Sequence, residues 1–142
     1  MTQEQEIKLI QAAQEGVKNA FTGTNQPGDF RVGSAVLTKD GNIYSSGQYA
    51  SDTHSLTLHA EQAALAHAAA HGEYEIVVIA TTANETAGGD KPVYPCHMCK
   101  QLLWESYIRS KQNVEIIIVS NKGEVLERFK LLDIIDHPWP TA

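Results

Sequence analysis

The sequence predicts an α/β layered domain in which a central sheet is flanked by helices. Three observations carry this reading. The predicted elements run helix, hairpin, helix, strand, helix, hairpin; the stretch Glu75 to Ala83 is a continuous apolar run that suits a strand buried on both faces; and only Asn121-Lys122-Gly123-Glu124 separates the last two predicted strands, so these should be antiparallel neighbours. A length of 142 residues fits one domain spanning residues 1–142 with a single core.

Each element has a local cause. Thr2 and Gln5 read as a capping box, and Ile7, Ile10, Val17 and Phe21 recur at roughly helical spacing, which predicts a first helix over residues 3–21. The breaker run Gly23 to Gly28 ends it. Asp40-Gly41 lies between two β-prone segments, FRVGSAVLT and NIYSSGQY, a strong hairpin signal. The alanine-rich stretch from about Thr57 to His71 stops at Gly72 and predicts the second helix. After the strand at 75–83 and a turn-rich loop at 84–94, Pro95 opens a helix reaching about Ser110. Val114 to Ser120 and Val125 to Phe129 are the final strands.

Composition narrows the function classes. Seventeen acidic against eleven basic residues give a formal charge of −6, which argues against a nucleic-acid or anionic-membrane partner and for a small-molecule substrate. The start is acidic and polar and the apolar runs are short, so neither a targeting segment nor a membrane span is expected. The two cysteines, Cys96 and Cys99, form no disulfide framework, and a reducing, cytoplasmic compartment is the simple inference.

The chemistry is concentrated in two short motifs, His59-Ala60-Glu61 and Pro95-Cys96-His97-Met98-Cys99. Cys-x-x-Cys on one helical turn can bind one metal ion or close a disulfide. At a helix N-terminus, unpaired backbone N–H groups and the positive dipole end favour the thiolate form that zinc needs. His59, Cys96 and Cys99 together make three protein ligands, the count for a catalytic zinc that keeps a fourth position open. Two thiolates neutralise the dication formally. Glu61, two residues beyond the histidine, is then placed for proton transfer.

H-x-E followed by P-C-x-x-C is the signature of the zinc-dependent nucleobase deaminases. The chain resembles the cytidine deaminase family more widely: Phe30-Arg31-Val32-Gly33-Ser34-Ala35, Asp40-Gly41 and Cys99-Lys100-Gln101 match its strand, hairpin and helix motifs, from the Lys18 region to Leu131-Leu132. The resemblance implies a five-stranded mixed sheet and hydrolytic conversion of a cytosine-type nucleoside or nucleoside analogue to its uracil form with release of ammonia. It also implies a zinc cofactor held by His59, Cys96 and Cys99, Glu61 as the proton carrier, and a homotetramer. For substrate contacts it implies Phe30 against the base, backbone N–H groups around Ala60 on the ring carbonyl, and the Tyr94 carbonyl on the amino group. The short turn between the last strands resembles the free-nucleoside branch; Met98 resembles the transfer RNA and cytosine deaminases.

Two departures stand out. Small members of this family carry Cys-Ala-Glu-Arg where this chain has His59-Ala60-Glu61-Gln62, a consistent exchange, because a neutral imidazole removes the charge that the arginine offsets. The Asn-x-Glu pair that holds ribose in the family falls on Gln48 and Ala50 or on Tyr49 and Ser51, and neither placement restores it; Asp52 stands nearby, outside the pattern. A sugar-altered analogue, as in the similar blasticidin S deaminases, is therefore an alternative substrate. A catalytically idle, zinc-stabilised binding module is the rival from another class, and the intact Glu61 argues against it. A redox pair or a structural zinc are the alternatives for Cys96 and Cys99. His67, His71 and His97 read as surface residues, His54 lies in a loop that edges the pocket, and Trp139 either closes over the pocket or packs on its own core.

Overall fold

The computed structural model describes residues 1–142. Helix α1 (Gln3–Asn19) is followed by strands β1 (Val32–Thr38) and β2 (Ile43–Gly47), helix α2 (Ala60–Ala70), strand β3 (Ile76–Ala83), helix α3 (His97–Ser110), strands β4 (Glu115–Val119) and β5 (Val125–Lys130), and a 3-10 turn at Leu131–Asp133. The strands form one mixed sheet in the order β2-β1-β3-β4-β5. Strands β3 and β4 are parallel, joined through α3, and every other pair is antiparallel. The last two strands pair as their short connection predicts, Ile117 opposite Arg128.

Three layers follow from the alternation of side chains along the strands. Val36, Ile79, Ile116 and Ile118 face Ala64, Ala68 and Leu103 of α2 and α3. Ala35, Leu37, Val78, Ala80, Ile117 and Val119 face Leu9 and Ala13 of α1. Strand β3, at the centre, is covered on both sides, and seven of its eight residues are buried. No helix is long and apolar enough to cross a membrane.

Local chemistry sets the ends of the elements, and two differ from expectation in ways that shape the site. The Thr2–Gln5 capping box is present, but α1 stops at Asn19 rather than residue 21. Ala20 is extended, and Phe21 instead forms a bridge with Tyr49, exchanging backbone hydrogen bonds with Gln48 and Ala50. Helix α2 starts at Ala60 rather than Thr57, because Leu58 is drawn into a bridge with Tyr49 and the Thr57 hydroxyl accepts from the Ser51 N–H. His59 thus becomes the N-cap residue. At the other end of α2, His67 and His71 are exposed yet pack on Tyr44 of β2, His71 stacked and His67 edge-on, and the Tyr44 hydroxyl donates to Glu73 beside Thr38 and Asn42.

Helix α1 lies directly on the β1–β2 hairpin because three glycines meet at the crossing. A Cβ on Gly33 would stand 2.2 Å from the Ala13 carbonyl oxygen and 2.4 Å from the Val17 nitrogen; one on Gly47 would stand 2.3 Å from the Gly16 carbonyl oxygen. Gly33→Ala therefore forces two backbones apart, and overpacking of this kind costs about 3 kcal/mol. The expected result is a melting temperature lower by roughly 10 °C, read by calorimetry; an unchanged melting temperature would contradict this account of the crossing.

Candidate active site

The two sequence motifs are brought together as paired helix starts. His59 caps α2 and Cys96 caps α3, both in extended conformation, so each residue leaves its loop just where the helical N–H groups are unpaired. The Gln62 side-chain oxygen accepts the His59 backbone N–H at 2.7 Å, which gives a local reason for glutamine here. Cys99 follows within the first turn of α3 and is 1% exposed, while Cys96 is exposed.

The three donor atoms converge. His59 Nδ1 lies 3.2 Å from Cys96 Sγ and 3.5 Å from Cys99 Sγ, and the two sulfurs are 3.5 Å apart. A tetrahedral zinc with Zn–S bonds of about 2.3 Å separates its sulfur ligands by roughly 3.8 Å, so this triangle is close to one face of such a polyhedron. The two sulfurs are not bonded to one another. The donor set, one imidazole and two potential thiolates, fits zinc.

The helix start favours thiolates, yet burial first and then the neighbouring Glu61 carboxylate push the Cys99 thiol well above the ordinary cysteine range. A dication among the donors is the charge that turns such a thiol into a ligand, and its binding therefore releases a proton.

Glu61 is 5% exposed and belongs to the same constellation. Its Oε2 lies 3.4 Å from Cys99 Sγ, and its Oε1 accepts from the Thr81 hydroxyl at 3.4 Å. Thr81 in turn lies 3.2 Å from Ser34 Oγ, which donates to the Ala80 carbonyl at 3.0 Å. These buried hydroxyls of β1 and β3 hold the carboxylate from beneath. Sequence reading missed both, since their strands pair only in the tertiary fold.

A cavity of about 540 Å³ opens over this floor, within the range of small-molecule sites. Phe30, Gln48, Ala60, Glu61, His59, Cys96, Tyr94 and His54 line it. Ala60 opens α2, so its N–H is free of an intrahelical partner. Gln48 is committed elsewhere: its amide accepts the Val32 N–H at 2.7 Å and donates to the Phe30 carbonyl at 2.5 Å, a clip across the start of β1. The Tyr94 phenol turns toward β5, where the Glu127 carboxylate pushes its pKa up and Phe129 lies 6.3 Å away ring to ring.

The expectation for Tyr49 is corrected, and Asp52 and Trp139, which the sequence left open, lie outside the cavity. Tyr49 does not line the cavity; it is 60% exposed and stacks on Phe21 at 5.1 Å, because alternation past β2 sends Gln48 and Ala50 inward and Tyr49 outward. Asp52 and Ser51 do not line it either. Trp139 is 77% exposed and sits on the far side of α3, where its carbonyl accepts from Gln101 and the Pro140 carbonyl accepts from the Trp104 indole. The polar lining residues that sequence reading missed are Asp29, Thr22, Thr24 and Thr57, beside the apolar Val32 and Val93.

Comparison with known proteins agrees with this geometry. Residues 3–115 match the family described as the cytidine and deoxycytidylate deaminase zinc-binding region. A cytidine deaminase of Halalkalibacterium halodurans is 36% identical over 97 residues, covering 68% of each chain, and one from Sporosarcina psychrophila is 28% identical over 120 residues, covering 84% of this chain and 81% of that one. Among solved structures, the cytidine deaminase of Burkholderia pseudomallei superposes with a TM-score of 0.75 at 27% identity, over 98% of this chain and 100% of that one. The cytidine deaminase of Mycobacterium tuberculosis shares the fold, with a TM-score of 0.71 at 20% identity over 94% of this chain and 96% of that one. With its His-Cys-Cys donor set beside a buried glutamate, the chain belongs to the cytidine and deoxycytidylate deaminase family of zinc-dependent hydrolytic deaminases.

Proposed function

We propose that this protein deaminates a free cytosine-type nucleoside, with His59, Cys96 and Cys99 holding zinc and Glu61 moving the protons. The observation that carries the reading is the placement of the Glu61 carboxylate 3.4 Å from a donor sulfur on the floor of a nucleoside-sized cavity. A structural zinc site has no use for such a group.

Zinc, when bound, supplies Lewis acidity that brings the pKa of a water from about 15.7 to about 7. The chain's residues do the rest. Glu61 accepts one proton from the attacking water and passes it to the ring nitrogen beside the reacting carbon; it then takes the remaining proton of the added hydroxyl and delivers it to the departing amine, so that ammonia leaves and the ring becomes a uracil. The Thr81 hydroxyl keeps the carboxylate oriented through these transfers. The Ala60 N–H at the start of α2 suits the ring carbonyl, and Phe30 suits the base face. A polynucleotide substrate is not supported, given the charge of −6.

The missing Asn-x-Glu pair favours a second reading, deamination of an analogue altered at the sugar, since Gln48 is clipped to backbone and Ala50 has no polar group. Ultraviolet assays of cytidine, deoxycytidine, free cytosine, blasticidin S and aminopurine nucleosides, with ammonia release as a check, separate the two. Turnover of cytidine and deoxycytidine is the expected result. Activity confined to sugar-altered compounds selects the second reading, and inactivity of the zinc-loaded enzyme on all of them overturns both.

A homotetramer in the cytoplasm completes the proposal. Phe30, Tyr49, Leu56, Leu58, Tyr94 and Met98 are exposed apolar side chains for which a second copy is a suitable cover. The two free thiols suit a reducing compartment.

A further inference from the structure

We propose that Asp29 is the specificity-determining residue for the group carried on the ring nitrogen of the substrate, binding a hydroxyl or amino donor on that group; this rests on the deaminase reading above. Besides Glu61, Asp29 is the one carboxylate that lines the cavity. Its two oxygens differ. Oδ2 accepts from the Thr22 hydroxyl at 2.6 Å, the Thr24 hydroxyl at 2.8 Å and the Gln26 N–H at 2.8 Å. Oδ1 has no hydrogen-bond partner in the protein. Three donors on one oxygen hold the carboxylate ionised, below its ordinary pKa, and lock its orientation while the other oxygen stays available.

The segment that carries it is anchored. Asn84 Nδ2 donates to the Asp29 carbonyl at 2.6 Å and Thr86 to the Gly28 carbonyl at 2.7 Å, tying it to the loop after β3. Thr22 and Asn25 close the turn on themselves. Because the Thr22 and Thr24 protons are spent on Oδ2, this wall of the cavity offers acceptors only, namely Asp29 Oδ1 and the remaining lone pairs of the two hydroxyls. An acceptor-only wall selects donors. It supplies from the loop before β1 an acidic acceptor that the lining residues after β2, Gln48 and Ala50, do not provide.

Asp29→Asn is a clean test. Its carbonyl oxygen can keep the Thr22, Thr24 and Gln26 hydrogen bonds, while the free oxygen becomes an NH2 group, so an acceptor turns into a donor without loss of the loop. The zinc-loaded wild type and variant are assayed on cytidine, 2′,3′-dideoxycytidine, 3′-amino-2′,3′-dideoxycytidine and free cytosine. The expected result is a kcat/KM lower by about 10- to 100-fold on cytidine and the 3′-amino compound, which carry a donor at C2′ or C3′, mainly through KM, with values within twofold on cytosine and on dideoxycytidine, whose one remaining sugar donor is the 5′-hydroxyl, and an unchanged melting temperature. A larger loss on the amino compound than on cytidine identifies an ammonium as the preferred donor, and the reverse identifies a hydroxyl. Equal losses on all four compounds, or no loss on any, overturn the role of Asp29 while the wild type remains active. A wild type inactive on all four overturns the deaminase reading, and this inference with it.

Discussion

Glu61→Gln is expected to leave zinc bound at one equivalent per chain and to lower kcat by at least about a hundredfold, the usual loss when a general acid–base is removed. Glutamine has the same shape, fits the same buried space, and can still accept the Thr81 hydroxyl, so the floor of the cavity is preserved. What disappears is a group able to take and return protons. Metal content should not fall, because the Glu61 carboxylate is one of the groups that push the Cys99 thiol up, and its neutral replacement makes that thiol easier to ionise. Elemental analysis alongside an ammonia assay reads both quantities. Wild-type turnover in the zinc-loaded variant would remove Glu61 from the mechanism.

Loss of the metal should be more damaging still. Cys99→Ala deletes the buried donor of the triangle, and two remaining ligands do not hold a catalytic zinc. Zinc content near zero and activity at background are expected, together with a lower melting temperature, since the ion ties the starts of α2 and α3 to each other. Stripping the wild-type protein with a chelator should reproduce the inactivity, and zinc should restore it. Full activity after chelation would contradict a metal requirement for the reaction. Because Cys99 must lose its proton to bind, zinc affinity should also weaken as the pH falls.

Much of the site was legible because it is built from helix starts. His59-Ala60-Glu61 and Pro95 to Cys99 each span less than two turns, and their functional spacing is a property of the α-helix itself. The hairpin was legible for a similar reason: Asp40-Gly41 specifies its turn, with Gly41 at a φ of +89° that other residues rarely adopt. The ends of α1 and α2 were misread by two or three residues because Tyr49 recruits Phe21 and Leu58 into bridges from distant parts of the chain, and no local pattern announces that competition.

The same distinction separates the catalytic residues from those around them. Composition, helix spacing and turn chemistry by themselves determined the layered α/β class, the antiparallel final pair of strands and the two motifs His59-Ala60-Glu61 and Pro95 to Cys99, because each depends on residues a few positions apart; joining the two motifs into one constellation was what the family resemblance implied, and the fold carries it out. Only the tertiary structure decided that Ser34 and Thr81 support Glu61, that Gln48 clips the backbone instead of facing substrate, that Tyr49 and Trp139 stay outside the cavity, and that Asp29 lines it. These depend on strand register and on where α1, pressed against Gly33 and Gly47, releases the chain toward the cavity. Such contacts join positions tens of residues apart, and their partners become neighbours only when the whole sheet has been assembled.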